Sequence, residues 1–428
     1  MLKKPNLSSL CVLVLALATI HCTSLTLHAQ TVQRPATAGK KDVDPGTPRD
    51  FRSQRFLLHA DLSNLEAKDL LARLEKMYDL VGVYWGRQLK PGQVVEMWVV
   101  KDLNRWPKGS IPDEGLSHIQ AGGGVTPIRA RIARGPQGER VNVASQAICF
   151  AVYDRGTPLH EAVHAFCGLT FGGTGPVWYS EGMAEMGQYW RERDSSVRLD
   201  AGVLKYLQTN SVKSLNAIIN NQEQTGDSWQ NYCWRWALCH LLANNPNYRD
   251  KFRPLGLDLL LDHRNSFENV YGNMAAEISF EYKQFLATIE NGARVDLTAI
   301  DWKKKFTPLH GKSGPSSSIA AGRGWQPTQA IVDPAKTYDY GTTGKWSIEK
   351  GAATLTADGD DERKGRLIGA ILSQDAKGDY QLSKTFPLGS KGNFTPPSSG
   401  KLFVRCDDDW GQLADNQGKV TFKIKLHD

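Results

Sequence analysis

Sulfur is scarce in this chain, histidine is scarcer than its length would suggest, and no long apolar run follows Ile20. There are seven cysteines, six methionines and ten histidines in 428 residues. Cys11 and Cys22 lie in the N-terminal apolar segment, leaving Cys149, Cys167, Cys233, Cys239 and Cys406. Five is an odd number, so a complete disulfide framework is excluded, and no pair has a zinc-finger spacing. Cys149 and Cys167 could pair or could be buried apolar thiols. The absence of a second apolar run excludes a multi-span membrane protein. No basic block is interleaved with aromatics, which argues against nucleic acid as a partner. No internal repeat is visible.

What is present suits a large soluble chain. Hydrophobic residues make up 40% and charged residues 23%, and the length implies two domains plus tails. Lys3 and Lys4, an apolar run from Leu10 to Ile20, and small and polar residues up to Ala29 form a secretory signal pattern over residues 1–29. The expected location is therefore outside the cytoplasm. Removing the leader takes away two lysines and no acid, lowering the formal charge from +7 to +5. Residues 30–50, rich in Thr, Pro, Gly and Lys, read as a disordered tether.

Two regions follow. "RFLLHADL", the amphipathic "NLEAKDLLARLEKMYDLVGVYWG" and "VVEMWVVKD" predict strand, helix and strand, with Leu65, Leu70, Leu71, Leu74, Met77, Tyr78 and Val81 on one helical stripe. More helices are expected up to about Leu286. The Ser-, Gly- and Pro-rich stretch 308–334 reads as a linker. Residues 335–428 show short strands separated by turns, the pattern of a β-sandwich. The expected fold class is α+β over residues 51–307, followed by an all-β module.

The stretch "TPLHEAVHAFCG", Thr157 to Gly168, carries the chemistry. Thr157 suits an N-cap, Pro158 the first helical position and Gly168 a stop. On a helix His160 and His164 share a face and can present two imidazoles to one ion. Glu161, about 100° around the helix, can reach a water beside that ion without ligating it. Two histidines four apart with that glutamate arise by accident in roughly 1 of 100 such chains. The next helix, "PVWYSEGMAEM", offers Glu181 as a third ligand and Glu185 to orient a ligand histidine. Tyr232, in "NYCWRWALCHLL", is the candidate electrophile for a developing oxyanion; the alternative is an aromatic packed beside Trp234 and Trp236. His240 reads as a core histidine.

"HEAVH" followed by "WYSEGMAEM" resembles the gluzincin metallopeptidases, whose ligand glutamate sits in a W-x-x-E-G-x-A phrase. Together with "RFLLHAD…VEMWVVKD" and "YCWRWALCHLLAN", it is similar to the bacterial peptidase MA-like family, which has a zincin fold. The resemblance spans about Phe51 to Leu286. It implies His160, His164 and Glu181 as zinc ligands, Glu161 as the catalytic acid/base and a peptide or protein as substrate. No counterpart of the aminopeptidases' amine-reading motif is present upstream, so endopeptidase and exopeptidase action both stay open.

Near the C-terminus, "LFVRCDDDWGQLADNQGKVTFKI" places aspartates and an Asp-Asn pair around a loop between two strands. Clustered hard oxygens suit calcium. The stretch resembles the terminal loop of bacterial calcium-dependent galactose-binding lectins. That resemblance implies Asp408, Asp415 and Asn416 as side-chain ligands, the Gln412 carbonyl as another, and glycans as a possible class of partner. The function expected from the whole is an exported zinc hydrolase acting on peptide bonds. The alternative is an inactive cell-envelope or glycan-binding protein that uses the C-terminal module.

Overall fold

A computed structural model of the chain describes residues 46–135, 140–189, 194–220, 229–311 and 313–427. The leader and most of the expected tether lie outside these residues. The expected tether ends earlier than residue 50, because Arg49 and Asp50 already belong to a paired strand.

The first region opens with β1 (Arg49–Arg52), β2 (Phe56–Ala60), helix α1 (Asn64–Trp85), β3 (Val95–Val100), α2 (Asp113–Gln120), the two-residue β4 (Gly124–Val125), β5 (Ile128–Arg134) and β6 (Arg140–Val152). There follow α3 (Thr157–Phe171), α4 (Val177–Tyr189), α5 (Ala201–Thr209), α6 (Leu215–Ile219), α7 (Trp229–Asn244), α8 (Arg249–Leu260), α9 (Phe267–Tyr271), α10 (Ala275–Ala287) and α11 (Val295–Thr298). One sheet runs in the order β1-β2-β3-β6-β4, with β5 also on β6. Strands β2, β3 and β6 are parallel; β1, β4 and β5 are antiparallel to their neighbours.

Helix α1 forms as its sequence requires. Ser63 and Glu66 make a reciprocal capping box, and Gly86 closes the helix in the left-handed region at φ 65°. Of its apolar stripe, Leu70, Leu71, Leu74, Met77, Tyr78 and Val81 are buried, whereas Leu65 in the first turn is corrected to an exposed position, 77% accessible. The Tyr78 hydroxyl donates to the Ala162 carbonyl at 2.8 Å, fixing α1 against α3.

Helix α3 differs at both ends from the sequence reading. Its cap comes from Asp154, whose carboxylate accepts from the Gly156 and Thr157 amides at 2.8 and 2.6 Å and from the Thr157 hydroxyl at 2.6 Å. Gly168 does not end the helix; Gly172 does, at φ 81°. Gly168 is a contact position instead, since a Cβ there would stand 2.8 Å from Ile128 on β5.

The second region is a β-sandwich. One sheet runs β14 (Lys391–Phe394), β10 (Tyr338–Ser347), β16 (Gln417–Leu426), β8 (Ser316–Ala320). The other runs β12 (Tyr380–Leu382), β11 (Leu367–Gln374), β15 (Gly400–Cys406), β9 (Gln326–Val332), β7 (Thr307–Pro308), with β13 (Phe386–Pro387) also on β11. Their shared core contains Ile319, Val332, Trp346, Ile371, Leu402, Val404 and Phe422.

The expected 308–334 linker is therefore corrected, because it supplies β8 and β9. Small residues hid the period of two. Ser317 is buried and donates to the Thr328 carbonyl at 3.1 Å, while Thr328 donates to the Leu402 carbonyl at 2.8 Å. Hydroxyl side chains that bond strand carbonyls can occupy a sheet interior although their composition reads as loop. The sandwich begins before Ala335, which lies in the turn after β9.

The two regions also share a seam of aromatic and aliphatic residues. Phe280 and Ile300 pack with Trp325, Leu372 and Phe403, and Trp302 and Trp410 flank them. Cys149, Cys167, Cys233, Cys239 and Cys406 are all buried and free, so Cys149 and Cys167 do not pair. Burial pushes both thiols well above their usual range. Among the described residues no helix is long and apolar enough to cross a membrane.

Candidate metal centre

Helices α3 and α4 bring the sequence-predicted ligands together. His160 Nε2 and His164 Nε2 are 3.1 Å apart, and Glu181 Oε2 lies 3.2 Å from the first and 3.4 Å from the second. Among the described residues this is the one cluster of three or more such groups able to hold a metal ion.

The outer nitrogens are already engaged. His160 Nδ1 is 2.9 Å from Glu185 Oε1, and His164 Nδ1 is 3.3 Å from Ser180 Oγ. A carboxylate can only accept, so His160 donates from Nδ1 to Glu185, and its Nε2 faces Glu181 and His164. Lone pairs of two imidazoles and a carboxylate oxygen at such separations repel one another unless positive charge lies between them. The electrostatics agree. Burial opposes charging His160, yet Glu181 and Glu185 hold its pKa well above the usual range. Burial likewise opposes ionising Glu181, yet His164 and His160 hold it well below the usual carboxylate range. Carboxylates facing two imidazoles therefore favour positive charge here, whether as a proton or as a metal ion.

Six residues of the α4 phrase have a visible role. Trp178 and Tyr179 are buried in the core, and Tyr179 accepts from Trp85 Nε1 at 2.9 Å. Ser180 meets His164 and Glu181 joins the cluster. Gly182 lets α4 approach α7, since a Cβ there would stand 2.4 Å from Cys239 Sγ and 2.8 Å from the Arg235 carbonyl. Glu185 orients His160. That close approach brings Tyr232 of α7 to the site, with its ring 5.5 Å from the His160 ring.

Glu161 stands beside the cluster rather than in it. It is buried, and its Oε2 accepts from the Thr126 hydroxyl at 2.7 Å. A cavity of about 250 Å³ opens over these groups. Its walls carry His160, Glu161, His164, Glu181 and Tyr232, with His118 from α2 and Thr126 after β4. His118, Gly124, Thr126 and Ser180 escaped the sequence reading. "IQAGGGVTP" reads as an ordinary glycine-rich loop, and only the approach of β4 to α3 reveals its place at the site.

His240 on α7 is buried as expected, stacked between Trp236 and Phe285 at centroid distances of 4.9 and 5.6 Å. Among the described residues its Nε2 has no hydrogen-bond partner, while Nδ1 lies 3.5 Å from Asn244 Nδ2.

The oxygen-rich loop between β15 and β16 holds Asp408, Gln412, Asp415 and Asn416. Asp408 Oδ2, Asp415 Oδ1 and Asn416 Oδ1 are buried without a hydrogen-bond partner among the described residues. The Gln412 carbonyl accepts from the Asp415 amide at 3.2 Å. Burial raises the Asp408 pKa. The loop also docks on the first region. The Gly411 amide donates to the Glu290 carboxylate, and a Cβ on Gly292 would stand 2.5 Å from the Gly411 carbonyl.

No protein-family model matches the chain. No curated protein matches it either. Among solved structures, the chain is similar to the EclA N-terminal domain, a PllA-like lectin, at 16% identity over 26% of this chain and 95% of the lectin chain, with a TM-score of 0.22.

Proposed function

We propose that the chain is an exported zinc hydrolase of the gluzincin type that cleaves peptide bonds. The observation that carries this reading is the His160, His164 and Glu181 cluster with Glu161 beside it. Zinc ligated at 2.0–2.1 Å in tetrahedral geometry holds its donor atoms about 3.4 Å apart. The separations of 3.1, 3.2 and 3.4 Å fit that spacing. When bound, zinc would lower the pKa of a water to about 7 and polarise a substrate carbonyl.

The chain's own residues supply the rest. Glu161 takes the proton of the attacking water as the C–O bond forms. It then delivers that proton to the leaving nitrogen as the C–N bond breaks. The Tyr232 phenol, on the same cavity wall, donates to the carbonyl oxygen as that oxygen gains charge. Glu185 and Ser180 fix the ligand imidazoles so that the cluster keeps its geometry through the cycle.

For the sandwich loop we propose calcium, on the strength of its three partnerless oxygens. A glycan-binding protein whose helical site is idle is the competing reading. Glu161→Gln separates the two. With zinc retained, it should lower hydrolysis of an unfolded protein substrate by roughly 10²- to 10⁴-fold. Zinc-loaded wild type that cleaves no such substrate would favour the competing reading.

A further inference from the structure

We propose that Thr126 is a positioning residue for Glu161, and that Gly124 leaves the space in which the carboxylate is held. This inference rests on the hydrolase reading and adds a residue that neither the histidine motif nor the α4 phrase contains. The Thr126 hydroxyl lies 2.7 Å from Glu161 Oε2 and 3.0 Å from the Glu161 carbonyl oxygen. It has one proton to donate. The carbonyl lies inside α3, where the helix's own amide ladder already serves it, so the carboxylate is the acceptor in need.

On the other side of the same carboxylate stands Gly124 of β4. A Cβ there would lie 2.7 Å from Glu161 Oε1 and 2.7 Å from the Phe150 carbonyl oxygen. β4 is held in place by antiparallel pairing to β6, with Gly124 opposite Ala151 and Val125 opposite Phe150. The carboxylate is thus confined between a strand backbone that cannot carry a side chain and a hydroxyl two residues along. A base on a flexible side chain gains rate from such confinement, because a small misplacement of a reacting group is costly.

The test compares full-length, zinc-loaded wild type with Thr126→Val and Thr126→Ser. Zinc content, kcat and KM on an unfolded protein substrate, and the crystal structure of each are the readouts. Thr126→Val should keep its zinc and its KM, lose about 10- to 100-fold in kcat, and let the Glu161 carboxylate leave its position. Thr126→Ser should restore both rate and position. A Thr126→Val enzyme at the wild-type kcat, or a Thr126→Ser enzyme as slow as Thr126→Val, overturns the proposal. If the wild type cleaves no peptide, the hydrolase reading fails and the crystal structures decide alone. An unmoved Glu161 carboxylate in Thr126→Val then overturns the positioning role.

Discussion

The helical region and the sandwich each gather polar donors, and they support them in opposite ways. In the first, His160 and His164 come from one helix and Glu181 from the next. Each imidazole has its far nitrogen held, one by Glu185 and the other near Ser180. In the second, Asp408, Asp415 and Asn416 come from a single loop, and each leaves a buried oxygen without a partner. Helices set the spacing of side chains before any ligand arrives, whereas a loop holds its oxygens through the contacts it borrows. Here those contacts come from both regions: within the sandwich Arg405 donates to the Asp408 carbonyl and Asn416 to the Ala321 carbonyl at 3.3 Å. Glu290 takes the Gly411 amide, and Trp410 sits in the seam between regions, 3.8 Å below the Arg405 guanidinium. The helical cluster is therefore held by its own neighbours, while the loop keeps buried oxygens without a hydrogen-bond partner among the described residues.

Acid should expose the helical region first. Burial pushes the His240 imidazole down to about 4, against an unfolded value of about 6.5. Between these values the unfolded chain binds a proton that the folded chain does not. The stability due to neutral His240 is thus present above pH 6.5 and lost as pH falls toward 4, a change of about 3 kcal/mol. His240→Phe, which keeps an aromatic ring between Trp236 and Phe285, should remove that part of the acid sensitivity. Denaturant unfolding of both proteins from pH 7 to pH 4 measures it; equal losses in the two would show that His240 is not the group responsible.

The sandwich should answer to calcium instead. A ligand that binds only the folded state adds about 2.7 kcal/mol at a hundred times its dissociation constant. Full-length protein with its zinc held constant should melt higher with added calcium, and Asp408→Ala should lose that gain. Equal melting temperatures with and without calcium in the wild type would leave the loop as an interface element and remove the support for a cation there.

Much of this was legible from residues alone, where period or motif spoke directly. The α1 stripe, the histidine pair and Glu181 needed only the geometry of a helix and a second helix to follow it. Other features depended on three-dimensional approach. Gly168 has the composition of a helix stop but marks the contact with Ile128. Ser317 and Thr328 read as linker because their burial depends on hydroxyl bonds across the sandwich. Thr126 carries no sequence signal, since its place beside Glu161 comes from the pairing of β4 with β6 and the approach of β4 to α3. Asp154 took the capping role expected of Thr157 because a carboxylate can accept from two amides and a hydroxyl at once.

The central claim is that His160, His164 and Glu181 hold zinc, and the metal content of purified full-length protein tests it most directly. Elemental analysis of wild type beside a His160→Ala, His164→Ala double variant, after equal exposure to zinc and removal of loose metal, should find one zinc per wild-type chain and none in the variant. Equal zinc in the two proteins would place the metal elsewhere and contradict the account.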